Sequence, residues 1–266
     1  VNNKQKRYIE RIFRQYHHPR FLYLDPLEFV HCLEGRENRE IGGLVCSALA
    51  YGRVEQIRKS VSRILEITGS DLNGFCRDVP FQEKAGAFAG FLHRFNTGAD
   101  VALLFECASQ TIKRYGSIEG GFLQGFDKSD KTVKGALDAF TRLMFAAAKK
   151  IKRPASGFSF FFPAPGHGST CKRLNMYLRW MVRGGDGIDL GIWKNVPPGA
   201  LVMPVDTHIA AAAGRLGLTR RKTVDWTMAE EITDSLRMLD PDDPVRFDFS
   251  LCRAGMVGYR TLLNAA

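Results

Sequence analysis

The sequence predicts an all-α fold. Apolar residues recur at three- and four-residue spacing along most of the chain. No run of β-branched residues alternates with period two. Proline and glycine mark off segments of helical rather than strand length. The 266 residues, 45% hydrophobic and 25% charged, are enough to bury a core without disulfide or metal staples.

Along the chain, the first element is a helix. Tyr8, Ile9, Ile12, Phe13 and Tyr16 share a helical spacing, and Pro19 ends that stretch. Asp25-Pro26-Leu27-Glu28 has the form of a helix start with proline at the first helical position. Residues 41–51 predict an apolar, small-residue helix whose Gly42-Gly43 pair implies close packing or an end. Val54, Ile57, Val61, Ile64 and Leu65 repeat at helical spacing with cations between them, and Gly69 and Gly74 punctuate the chain beyond. Helices are expected over 86–95, 101–115, 133–150 and 172–182, then over 207–215 and 226–239. Asp240-Pro241-Asp242-Asp243-Pro244 reads as a turn before a last short helix over 247–257. Neither a low-complexity linker nor an internal repeat divides the chain.

Composition narrows the function classes. No apolar run approaches the ~18 residues of a membrane helix, and the first residues lack a signal-peptide core. Cys32, Cys46, Cys76, Cys107, Cys171 and Cys252 stand singly, so no zinc knuckle or local iron–sulfur loop is expected. His17-His18 has no third ligand near it. A cytoplasmic protein with reduced thiols is the expectation, with no membrane partner. The net charge of +10 is unevenly placed: residues 139–185 hold nine cations and no acid, whereas 225–248 hold eight acids against Arg237 and Arg246. A one-signed stretch suggests a surface for a polyanion, nucleic acid first. A solvated basic face without a ligand is the alternative.

Two tracts carry chemistry. In Pro163-Ala164-Pro165-Gly166-His167-Gly168-Ser169-Thr170-Cys171-Lys172, two glycines make a tight turn, and Ser169 or Thr170 can cap the next helix. The N–H groups of such a turn and helix start form a concavity suited to one phosphate. Lys172, Met176, Arg179 and Arg183 then share one helix face, while Leu174, Leu178 and Met181 share another. In Met203-Pro204-Val205-Asp206-Thr207-His208-Ile209, Asp206 stands where an N-cap belongs. Its carboxylate can serve as a cap alone or face a reaction site.

The glycine turn, the helix after it and the Val-Asp-Thr-His segment running into Arg215-Leu216-Gly217-Leu218 resemble the helix-hairpin-helix DNA glycosylase superfamily. That superfamily includes endonuclease III-like enzymes and 8-oxoguanine glycosylases. The close match covers about 163–218, with looser helical correspondence over about 40–252. Cys171–Arg183, Asp189-Leu190-Gly191-Ile192-Trp193 and Asp240–Phe249 look like a bacterial branch without an assigned function.

The resemblance implies a two-lobed helical glycosylase fold. Residues 40–200 would form a central lobe ending in the hairpin, and 1–39 with 201–266 a second, the site lying in the cleft. It implies a monomer acting on double-stranded DNA with the nucleotide rotated out of the duplex. Asp206 matches the superfamily aspartate and would stabilise positive charge at C1′. Lys172 is the candidate for the lysine that attacks C1′ and, through a Schiff base, nicks the strand. Thr170 occupies the usual lysine position, with Lys172 two residues further on.

Gly166, Gly168, Ser169, Thr170, Arg179 and Arg183 would hold phosphate, with room for a monovalent cation at the hairpin. Tyr51, Arg53, Trp193 and His208 would line the base pocket, and Phe160–Phe162 offer further stacking surface. Only Cys252 stands near the end of the chain, so no iron–sulfur cluster is implied. The archaeal members suggest an oxidised purine, and the location implied is the cytoplasm, at the nucleoid. Two alternatives stay open: a non-catalytic nucleic-acid-binding protein that keeps this fold, and a monofunctional glycosylase in which Asp206 activates water.

Overall fold

The structure is a computed structural model, described here for residues 1–257, and it is mostly helical. In chain order the helices are α1 (Asn3–Tyr16), α2 (Leu27–His31), α3 (Arg36–Ala48), α4 (Val54–Thr68), α5 (Leu72–Asp78) and α6 (Phe81–Ala87). A two-strand hairpin comes next, β1 (Leu92–His93) and β2 (Asn96–Thr97). After it stand α7 (Gly98–Tyr115), α8 (Ile118–Leu123), α9 (Lys134–Ile151) and α10 (Ser156–Phe161). The series ends with α11 (Lys172–Val182), α12 (Thr207–Arg215), α13 (Trp226–Arg237) and α14 (Asp248–Val257). Among the described residues no helix is long and apolar enough to cross a membrane.

The chain forms two compact units. Among the described residues, the first contains Val1–Leu22, Lys131–Val133 and 165–257; the second contains Tyr23–Asp130 and Lys134–Ala164. These limits differ from the expected lobes: 165–200 group with the terminal segments, and 23–39 with the central helices. The short return at 131–133 belongs to the first unit because Val133 is fully buried there and donates its N–H to the Ala200 carbonyl.

In the second unit α7 is the central helix, packed on α3, α5, α6, α8, α9 and α10. It starts with a capping box, Thr97 and Asp100 exchanging side-chain and backbone hydrogen bonds, and ends on left-handed Gly116. Val101, Leu104, Phe105 and Cys107 are buried along it. Phe105 stacks on Phe88 and meets Phe75 edge-on. Gly42 allows α3 to approach Leu33: a Cβ there would lie 2.3 Å from the Leu33 Cδ1. Pro26 precedes α2 as its N-cap rather than opening it, and the Asp25 carboxylate accepts the Leu27 N–H at 3.1 Å.

One expected helix is replaced. Residues 86–95 do not form one: α6 ends at Ala87 and gives way to the β1–β2 hairpin, which pairs Leu92 with Thr97 and His93 with Asn96. Gly90 and Arg94 take positive φ, which no helix accommodates. Gly98 closes the hairpin against α6, where a Cβ would strike the Phe88 carbonyl.

In the first unit α14 packs on α1 and α12. α1 opens with a capping box between Asn2 and Gln5 and buries Ile9, Ile12 and Tyr16. The loop over 184–193 folds back on α11: Leu190 and Trp193 donate their N–H groups to the carbonyls of Trp180 and Met181, both at 2.8 Å.

Candidate active site and nucleic-acid interface

The glycine turn is a one-turn 3₁₀ helix over Pro165–His167, closed by a Gly168 N–H bond to the Pro165 carbonyl at 2.9 Å. Gly168 takes φ +79 and Cys171 φ +49, so two left-handed residues bend the chain into α11. Neither Ser169 nor Thr170 caps that helix as expected. Cys171 is the N-cap and supplies no side-chain bond, while the Ser169 hydroxyl accepts the Cys171 N–H at 3.1 Å. The Thr170 carbonyl accepts the Asn175 side-chain amide at 3.0 Å, and the Gly168 carbonyl accepts the Trp226 N–H at 3.2 Å. These bonds fix the turn while Gly166, His167 and Gly168 stay exposed. The Ser169 and Thr170 amides donate to nothing among the described residues. The Pro165, Gly168, Ser169 and Thr170 carbonyls each already accept a bond, so a monovalent cation would have to share them.

Lys172 is the first residue of α11, and Asp206 is the N-cap of α12. The structure brings them together within the first unit: Lys172 Nζ lies 3.5 Å from Asp206 Oδ2, with the two side chains 30% and 28% exposed. Asp206 divides its oxygens. Oδ1 accepts the His208 and Ile209 N–H groups, each at 2.9 Å, which leaves Oδ2 facing the amine. Behind them lies α14. Burial pushes the Cys252 thiol up, and that thiol senses Lys172 and Asp206 as well as Arg253 and Asp248. An amine and a carboxylate held this way, both open to solvent, can exchange a proton and can approach one electrophilic carbon together.

Arg179 and Arg183 are corrected. They are only 2% and 5% exposed and are spent on internal charges rather than held out for phosphate. Arg179 binds Asp189, at 3.1 Å, and Asp248. Arg183 binds Asp189, then Asp243 at 2.8 Å and Asp186 at 3.0 Å. His17 joins the same network, its Nε2 lying 2.9 Å from Asp186. On this face of α11, Arg179 and Arg183 therefore form an internal electrostatic lock, while Lys172 is partly exposed beside Asp206. The basic stretch over 139–185 is divided between the units: 139–164 belong to the second, and Arg173, Arg179 and Arg183 are buried in the first.

Trp193 is also corrected. It is 1% exposed and meets Tyr177 edge-on at 5.4 Å, so it serves packing and not base recognition. His208 is exposed beside Asp206 on the first turn of α12. Arg53 is exposed at the start of α4.

Tyr51, in the second unit, has its hydroxyl 2.8 Å from the His93 carbonyl and 2.5 Å from Asn96 Oδ1. Its ring underlies a surface cluster. Phe160 meets it edge-on at 4.7 Å, Phe95 lies parallel at 6.3 Å, and the Arg94 guanidinium is 5.9 Å from its centre. Leu92 and Phe95 are more than half exposed on the hairpin, and Phe160 is 38% exposed. Sequence reasoning missed Leu92, Arg94 and Phe95 because it placed them in a helix. Phe161 and Phe162 are buried.

A family model described as "Protein of unknown function (DUF2400)" matches residues 25–257. No curated protein matches the chain, and no solved structure matches it.

Proposed function

The chain belongs to the DUF2400 family, whose function is unknown, and we propose that it is a base-excision repair DNA glycosylase with abasic-site lyase activity. The observation that carries this reading is the Lys172–Asp206 pair, 3.5 Å apart and partly exposed, beside a glycine turn with unclaimed amides. In this reading the turn is the hairpin of a helix-hairpin-helix, and the fold is that of the glycosylase superfamily. The partner is double-stranded DNA, bound by a monomer in the cytoplasm at the nucleoid.

Two groups supply the chemistry. Asp206 Oδ2 takes the proton that the Lys172 amine must shed before it attacks. The Nζ lone pair forms a bond to C1′ as the glycosidic C–N bond breaks, and the base departs with that electron pair and a proton. Asp206 gives the proton it took to the departing base and, a carboxylate again, offsets the positive charge that builds at C1′. Opening of the sugar gives a Schiff base on Nζ. Loss of a C2′ proton then expels the 3′ phosphate and nicks the strand. The Ser169 and Thr170 amides would hold a neighbouring backbone phosphate. An oxidised purine is the first damaged base to try.

Borohydride reduction in the presence of abasic-site duplex tests the reading. The wild-type chain gives a covalent protein–DNA adduct, and Lys172→Gln gives none. Base release without nicking, retained in Lys172→Gln and lost in Asp206→Asn, would select the monofunctional mechanism instead. Binding with neither reaction, across a panel of damaged bases, would leave a nucleic-acid-binding protein.

A further inference from the structure

The first unit carries a second positively charged feature, away from the Lys172–Asp206 pair. A groove of about 750 Å³ runs between α1 and the end of α12, lined by Lys4, Arg7, Tyr8, Arg11, Arg14 and Arg215, with no acidic side chain in its wall. Lys4, Arg7, Arg11 and Arg14 recur on one face of α1, and ten residues of helix span about 15 Å. The half-buried Arg11 guanidinium lies 5.2 Å from the centre of the Tyr8 ring. The Tyr8 hydroxyl and the Arg11 Nε and Nη2 are buried atoms with no hydrogen-bond partner among the described residues. Buried donors are normally satisfied, so three orphans in one basic groove point to an acceptor-rich occupant.

We propose that this groove binds the phosphodiester backbone of double-stranded DNA. A strand presents about one negative charge per 3.4 Å of helix axis, so the row of cations matches several successive phosphates better than one small anion. The exposed Lys4, Arg7 and Arg14 meet phosphate oxygens directly, and an outward swing of the half-buried Arg11 side chain lets a phosphate accept the Tyr8 O–H and the two Arg11 N–H groups. An anionic lipid surface fits less well. Helices that bind membranes insert an apolar face, and the apolar face of α1, with Ile9, Ile12 and Tyr16, is buried in the protein core.

The groove is also fixed with respect to the candidate catalytic pair. Gln5 Nε2 donates to the Leu216 carbonyl at 2.7 Å, tying α1 to the end of α12. Gly217 takes φ +67 there, and a Cβ would lie 2.7 Å from the same Gln5 nitrogen. Asp206 caps the other end of α12, whose nine residues span about 13 Å. Where the glycosylase reading holds, α12 would therefore act as a spacer between the gripped backbone and the reacting sugar. DNA binding by the groove does not itself depend on that reading.

The test uses lesion-free duplex and the full chain, with affinity measured by fluorescence anisotropy between about 50 and about 300 mM salt. Arg7→Glu/Arg14→Glu weakens binding at low salt at least about tenfold and makes the slope of log affinity against log salt shallower by about 2. Arg11→Gln weakens it in the same direction. Lys6→Glu, a charge reversal on α1 outside the groove, stays within about twofold of wild type by the same reasoning about backbone contacts. Circular dichroism melts check that each variant is folded, and Arg7→Gln/Arg14→Gln replaces the double reversal if it is not.

Unchanged affinity and slope in the groove variants would overturn the proposal. An equal loss in Lys6→Glu would overturn it, as would groove-dependent binding to phosphatidylserine vesicles but not to DNA. A wild-type chain that binds through the groove yet gives no borohydride adduct or base release would sink the glycosylase reading and leave the groove. A chain that gives the adduct with groove variants binding like wild type would do the reverse.

Discussion

The two oxygens of Asp206 have separate tasks, and substitution can separate them. Oδ1 caps α12 and Oδ2 faces Lys172. Asparagine is as good an N-cap as aspartate, whereas alanine removes the cap at a cost of about 1 kcal/mol. Asp206→Asn should therefore melt within about 0.5 kcal/mol of wild type yet lose the proposed chemistry, while Asp206→Ala loses both. Melting curves read beside adduct formation check this, and an active Asp206→Asn would restrict the carboxylate to capping. Arg179 has the opposite profile. Its removal leaves Asp248 buried without its ion-pair partner and Asp189 with Arg183 alone, so Arg179→Met should cost about 3–5 kcal/mol in urea unfolding. A phosphate-binding surface arginine would cost almost nothing. The sequence showed Arg179 and Arg183 on one helix face but not what faced them. Two of their partners, Asp248 and Asp243, lie 69 and 60 residues away, beyond the reach of any local pattern.

At the scale of elements, legibility tracked length and local chemistry. The expected helices at 172–182 and 207–215 have the limits of α11 and α12, because a charged or capping start and a long apolar face are local signals. The helices α5, α8 and α10, of seven, six and six residues, complete too few turns to show a period. The β1–β2 hairpin was hidden because its strands have two residues each and its turn rests on backbone angles, not on alternation. The basic groove was not singled out in the sequence, although Lys4, Arg7, Arg11 and Arg14 repeat at helical spacing. Its Arg215 wall and its orphaned donors needed the fold. The loop after α11 gives an element-scale prediction. Gly184 and Gly191 meet backbone to backbone: a Cβ on Gly184 would lie 2.9 Å from the Gly191 Cα. Gly184→Ala should push the loop off α11 and loosen Trp193, at a cost of about 1–3 kcal/mol. Wild-type stability together with unchanged tryptophan fluorescence would show that the loop yields without strain.

Across the whole chain, the charge pattern was legible and its meaning was not. The end of the basic stretch and part of the acidic stretch meet inside the first unit, where Arg179 pairs with Asp248 and Arg183 with Asp243, so part of the local imbalance cancels in the interior. The same network predicts a response to acid. Burial raises the Asp186 carboxyl, but hydrogen bonds from His17 and the Ile188 amide, together with Arg183, outweigh it and hold the group well below the usual carboxylate range. A group depressed in the folded state binds its proton more readily once unfolded. Its stabilising contribution is complete above the unfolded value of about 3.9 and is lost as pH falls toward the folded one. Asp186→Asn removes that contribution while leaving Asp189, Asp243 and the arginines in place. The variant should be less stable than wild type at about pH 7, and the gap should narrow as pH falls below about 4. Urea unfolding of both proteins along a pH series checks this, because subtracting the two curves cancels the other carboxylates. A gap that stayed constant to about pH 3 would mean that the negative charge of Asp186 contributes nothing and that its hydrogen bonds alone hold the loop.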